Sequence, residues 1–88
     1  MKTFKLVISS PNGLIFDEDV VKIVLRGDGG DLAVMAGHVP FMTSVKPCQC
    51  KIEMVDESVK TAHVEGGLLT VAAEKTTLLS GSFKWDKA

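Results

Sequence analysis

The residues best placed to do chemistry fall in one stretch, 27–40: Gly-Asp-Gly-Gly-Asp-Leu-Ala-Val-Met-Ala-Gly-His-Val-Pro. Two turn clusters, Gly27-Asp28-Gly29-Gly30 and Ala36-Gly37-His38-Val39-Pro40, bracket a short apolar run. Glycine accepts positive φ without a steric penalty, so each cluster can reverse the chain sharply. Residues 32–35 are too few for a stable helix and suit one brief strand. This pattern predicts two adjacent loops that bring Asp31 and His38 together at one end of a sheet. A carboxylate beside an imidazole suits acid–base work, but it equally suits a docking surface. Loops on a rigid scaffold carry either role, and binding is the first reading here.

Other reactive side chains are few. His63, the second histidine, falls inside an alternating strand pattern and reads as a cross-strand or packing residue. Cys48 and Cys50 form a Cys-Gln-Cys run whose side chains share one strand face. Their Cα atoms would stand ~6.5–7 Å apart, at the edge of disulfide geometry, which favours free thiols. Zinc wants four ligands, and a single Cys-x-Cys supplies two. Three adjacent acids, Asp17-Glu18-Asp19, cannot converge on one ion from a strand or bend, and read as a solvated corner. The chain has no nucleophile elbow, phosphate loop or dinucleotide fingerprint. The glycines of residues 27–30 lead into a strand, so no helix N-terminus waits there for phosphate. The expectation is a protein without catalytic residues or a cofactor of its own.

Eighty-eight residues make one domain. An apolar content of 45% is that of a folded globular chain. Net charge is −1 with scattered Lys and Arg, which leaves no electrostatic footprint for nucleic acid or an acidic membrane surface. No apolar run reaches the ~18–20 residues that span a bilayer, and no signal peptide is expected. A cytoplasmic setting is the expectation.

The elements that must position these residues are all strands. Phe4, Leu6 and Ile8 alternate with Thr3 and Lys5, and Pro11-Asn12-Gly13 then reverses the chain. Residues 14–16 form a short second strand, and β-branched residues 20–26 form a third. Residues 41–45 follow as a strand that Lys46-Pro47 ends. Cys48, Cys50, Ile52 and Met54 alternate with Gln49, Lys51 and Glu53, and pair with residues 59–65 across a polar turn. Gly66-Gly67 marks a bulge or a close backbone approach. Residues 68–73 and 76–80 make a last hairpin. Trp85 either packs back on the body or awaits a partner. The fold class is therefore all-β: a small flattened β-sandwich or barrel of about eight to ten short, mostly antiparallel strands. The domain spans residues 1–82, and residues 83–88 form a tail.

Taken in order, Val7-Ile8-Ser9-Ser10-Pro11-x-Gly13-x-x-Phe16, then Val21 and Ile23, Gly27-x-x-Gly30-Asp31-Leu32, Gly37-His38-x-Pro40, Lys46-Pro47 and Gly66-Gly67 resemble the N-terminal domain of the epsilon subunit of the F-type ATP synthase. The likeness covers essentially the whole chain. It departs at Ala33 and Cys48, where the family commonly has glycine, and at Ala36, where it commonly has proline. The resemblance implies a β-sandwich in the central stalk, a rotor subunit that turns with the membrane ring. It implies the gamma subunit and the c-ring as partners, on the cytoplasmic face of the membrane. It places Asp31 at the end that meets the ring, and Ser10 and His38 toward gamma or its junction with the ring. It also implies that the family's C-terminal helical hairpin would follow the tail. The alternative from the residues alone is a free-standing binding module that uses Cys48 and Cys50 for metal or thiol chemistry.

Overall fold

In the computed structural model, residues 2–37 and 39–86 are described. Alternation writes the first strand, β1 (Phe4–Ser10): Leu6 and Ile8 are buried while Lys5 faces water. Pro11-Asn12 turns the chain into β2 (Gly13–Gly27), at fifteen residues the longest element. The solvated corner expected at Asp17-Glu18-Asp19 is instead part of this strand. Each acid has a ladder partner on β1, pairing with Val7, Leu6 and Lys5 respectively. Lys5 Nζ also lies 3.0 Å from Asp17 Oδ1. All three acids stay exposed, so the backbone can remain extended without burying charge.

The other strands are β3 (Gly30–Met35), β4 (Phe41–Val45), β5 (Cys48–Met54), β6 (Val59–Val64), β7 (Gly67–Val71), β8 (Lys75–Leu79) and β9 (Lys84–Trp85). Among the described residues the nine strands form one continuous sheet in the order β1-β8-β7-β4-β2-β5-β6-β9, with β3 added to β2. Only β1 and β8 run parallel. β2 also pairs with β1, so β1, β8, β7, β4 and β2 close a circuit.

The sheet folds over itself into two layers that share β2. The first half of β2 pairs with β1, and the second half pairs with β3 and β5. The first layer turns Leu6, Ile8, Phe16, Leu69, Val71 and Leu78 inward, and the second answers with Ile23, Leu25, Val34, Cys50, Ile52 and Val64. The Gly66-Gly67 approach is real: a Cβ on Gly67 would run into the Leu79 carbonyl. The 83–86 segment packs back on this body. Trp85 pairs with Ala62 and sits edge-on to Phe16 and Phe83, at centroid distances of 5.6 and 4.9 Å. It thereby bridges the two layers.

Candidate docking site

Residues opposite each other in a ladder share a face, so the registers define what each layer shows to the outside. Across the first layer one row reads Leu14, Ser9, Leu79, Leu68, Ser44. The next reads Asp17, Val7, Thr77, Thr70, Met42. Apart from Asp17 these ten positions carry only aliphatic side chains, methionine and hydroxyls. Leu14 is 64% exposed, Met42 63% and Leu79 47%. The charges come at the margin, with Lys5 opposite both Asp19 and Lys75.

The second layer's outer face is laced with charge. Met35, Lys22, Glu53 and Val59 form one row, with Lys22 Nζ 3.1 Å from Glu53 Oε2. Ala33, Val24, Lys51 and Thr61 form the next. Asp31 then faces Arg26, and Gln49 faces His63, which faces Lys84.

The turns build a rim. Ser10 Oγ accepts from Asn12 N–H at 3.2 Å and lies 3.4 Å from the Gly13 carbonyl, which fixes the first hairpin. Next along, Ser80 N–H donates to the Ser9 carbonyl and Ser80 Oγ donates to the Gly66 carbonyl at 2.6 Å. Val45 pairs with both Gly67 and Gly27. Lys46 N–H donates to the Arg26 carbonyl, and Lys46 Nζ lies 3.2 Å from Asp28 Oδ1. The rim closes on the Asp28-Gly29 turn, where Gly30 has a φ of 116° that a side chain would resist. Asp31 stands beside it, 74% exposed, with Oδ1 accepting from Arg26 Nε at 2.9 Å. Asp31 also borders a shallow depression of about 270 Å³ shared with Arg26, Cys48, Gln49 and Lys51.

Ser10 and Asp31 thus stand on one rim, five strand steps apart along β1, β8, β7, β4, β2 and β3. The expected juxtaposition of Asp31 with the second turn cluster does not occur. Asp31 lies at the first end of β3, while Ala36-Gly37 leaves its other end, beyond Met35. β4 likewise begins at Phe41, opposite Val71, and reaches the rim only at Val45. Ala36 and Gly37 therefore leave the sheet at the end away from the rim, because a six-residue strand separates them from Asp28-Gly29. His38 itself lies outside the described residues.

The thiols do not make a site. Cys50 is fully buried, and burial, with Cys48 nearby adding to it, pushes its thiol up to about 12. Cys48 Sγ accepts from Arg26 N–H at 3.3 Å. Among the described residues no three His, Cys, Asp or Glu side chains cluster as metal ligands. The outward leucines and methionine of the first layer are what sequence reasoning missed. A signal was there: residues 68–71 and 76–79 carry no charge on either strand parity.

The family model for the ATP synthase delta/epsilon chain β-sandwich domain matches residues 3–86. The chain belongs to that family. This ATP synthase delta/epsilon-type domain is 34% identical over 84 residues to the sodium-ion-specific ATP synthase epsilon chain of Acetobacterium woodii. The match covers 96% of this chain and 63% of that relative. The fold is also that of a chain in the Euglena gracilis mitochondrial ATP synthase, with a TM-score of 0.88 at 19% identity over 94% of this chain and 53% of the other. A chain of the Tetrahymena thermophila mitochondrial ATP synthase central stalk and c-ring gives 0.79 at 14% identity, over 93% and 66%. The delta/epsilon-type domain therefore spans somewhat under two thirds of the Acetobacterium relative.

Proposed function

We propose that this chain is a non-catalytic central-stalk subunit of an F-type ATP synthase. It docks on gamma and the c-ring and couples ion translocation to ATP synthesis. The observation that carries the reading is the outward face of the first layer. Two full rows of that face carry a single charge between them, Asp17 at the row's end, where Lys5 pairs with it. Such a preformed, flat surface suits a long-lived contact with gamma. The polar rim suits a second contact, and Asp31 on it is the residue we assign to the ring. Ser10, at the other end of the rim, and His38 are assigned to gamma or its junction with the ring. The relatives named as ATP synthase epsilon chains support the reading. So do the solved assemblies described as F1/c-ring and central stalk/c-ring. The subunit would work at the membrane without entering it, peripheral on the cytoplasmic face as part of the complex.

The test is reconstitution. Added to an ATP synthase lacking its own epsilon subunit, the chain should co-sediment with gamma and restore ion-coupled activity. A chain that folds but neither retains gamma nor restores coupling overturns the proposal.

A further inference from the structure

The second layer ends in two edge strands, and they are finished differently. β9 at one edge is two residues long, with charge at Lys84 and just beyond it at Asp86. A short, charged edge discourages a further strand. β3 at the other edge is six residues long, and among the described residues it pairs with β2 alone. Its ladder with β2 runs from Gly30 to Met35 without a register irregularity, whereas the ladders of β2 with β1 and β5 each carry one. Its single charge, Asp31, sits near one end and is tied back to Arg26. Shortness, a bulge, lysine and proline all keep sheet edges from pairing, and all four are missing from β3. The flanking residues are small, Gly29 before the strand and Ala36-Gly37 after it, and a side chain on Gly29 or Gly30 would meet nothing within 4 Å.

We propose that β3 is the seam of a weak two-fold dimer of this chain, in which the free edges of two copies pair antiparallel and join their second layers into one sheet. The occupant is a second copy because the strand is complementary to itself. Antiparallel pairing about a two-fold axis sets each residue against one of the same parity. Centred on Ala33, it places Asp31 against Met35 of the second copy, Leu32 against its Val34, and Ala33 against its Ala33. The faces then match. Asp31 and Met35 are both exposed, while Val34 is buried and Leu32 packs on the core, so aliphatic side chains continue the interior across the seam. On the outside, β2 already sets Arg26 beside Asp31 and Lys22 beside Met35, and β5 sets Glu53 beside Lys22. The outer row across the seam reads Arg26, Asp31, then Met35, Lys22 and Glu53 of the second copy. Its charges alternate in sign, and no like charges meet. The smallest side chain of the strand outside Gly30, Ala33, stands at the axis. Of the residues assigned above to other partners only Asp31 takes part, so the dimer is a form of the chain outside the proposed complex and does not depend on that reading.

Sedimentation velocity of the full chain over a concentration series should show reversible dimerisation. Its dissociation constant should be on the order of 100 µM, the weak end that a contact under ~1,200 Å² in total supports. Hydrogen exchange should slow across residues 31–35 as the concentration rises. Charge at the exposed Met35 tests the register, in variants that should melt as the parent does. Met35→Asp sets carboxylates against each other at both ends of the seam and should weaken the dimer roughly tenfold, whereas Met35→Lys sets an ammonium against each Asp31 and should tighten it roughly threefold. Leu79→Lys, on the first layer's outer face, should leave the dimer unchanged. A chain that stays monomeric throughout the series overturns the proposal. So does self-association that Met35→Asp leaves intact, or that Leu79→Lys abolishes, since the copies would then meet through the first layer instead.

Discussion

The two outer faces of this domain are both built from strand ladders, yet they differ sharply in charge. The first layer shows water leucine, methionine, valine and threonine, with its charges pushed to the margin. The second shows Lys22–Glu53, Arg26–Asp31 and His63–Glu65 pairs. Both layers bury the same kind of aliphatic side chains inward, so folding requires no such difference outside. An antiparallel sheet with one wet face is ordinarily polar on that face, as the second layer is. On the proposed reading, the first layer's outer face is shaped for contact with gamma, and the second layer's for solvent.

The most severe way to break the contrast is to break the layer. Leu6 is fully buried on β1, between β2 and β8. Leu6→Ala should cost ~2–5 kcal/mol through lost burial and a residual cavity. In a domain of this size that is a large part of the total, and thermal melting should show a marked drop. A more selective test leaves the fold alone. Leu79→Lys puts a charge in the middle of the apolar face and should weaken gamma binding at least tenfold. Lys51→Glu on the charged face should leave it nearly unchanged, as isothermal titration with gamma would show. Equal effects from the two would erase the distinction drawn here.

A third test concerns the inside of the charged layer. The Cys50 thiol, pushed up to about 12, should resist alkylation in the folded chain, while half-buried Cys48 reacts. Because this folded value lies above the unfolded one, the stability it confers is present in full below the ordinary thiol range. It is lost as pH climbs from about 8.5 toward 12. Chemical denaturation at pH 7 and pH 10 measures the decline, and Cys50→Ala should flatten it. The smallest expected effect is at the rim. Asp31→Ala removes one exposed ion pair and should shift stability by no more than ~0.5 kcal/mol. It should still loosen the seat on the ring, read as reduced coupling in a reconstituted complex.

Strands with strict alternation were legible in the sequence. Cys48 to Met54 and their partner strand fall where the pattern puts them, and so do β1 and β4, because one buried face imposes a period of two. Gly66-Gly67 was legible as a close approach for a steric reason. Asp17 to Asp19 misled, because local polarity looks like a turn, whereas the ladder partner that keeps them extended is far away in sequence. The placement of Asp31 against the second turn cluster failed for a related reason: two glycine-rich turns flanking one strand must lie at its opposite ends. The apolar outer face was harder still. It is assembled from β1, β2, β4, β7 and β8, and only their registers bring Leu14, Leu79 and Met42 onto one surface.

β2 carries a mechanical consequence. It is one continuous fifteen-residue strand, with a register irregularity between Val20 and Lys22, that belongs to both layers and closes the β1-β8-β7-β4 circuit. Two sheets joined only by loops could shear past each other, but here sliding would have to tear a ladder. Close-packed interiors are also nearly incompressible and pass strain on. A twisting load applied at the apolar face thus reaches the Asp31 rim through covalent backbone and hydrogen-bonded ladder, with little lost to internal slip. The domain behaves as a rigid key, the property that the proposed place between gamma and the c-ring calls for.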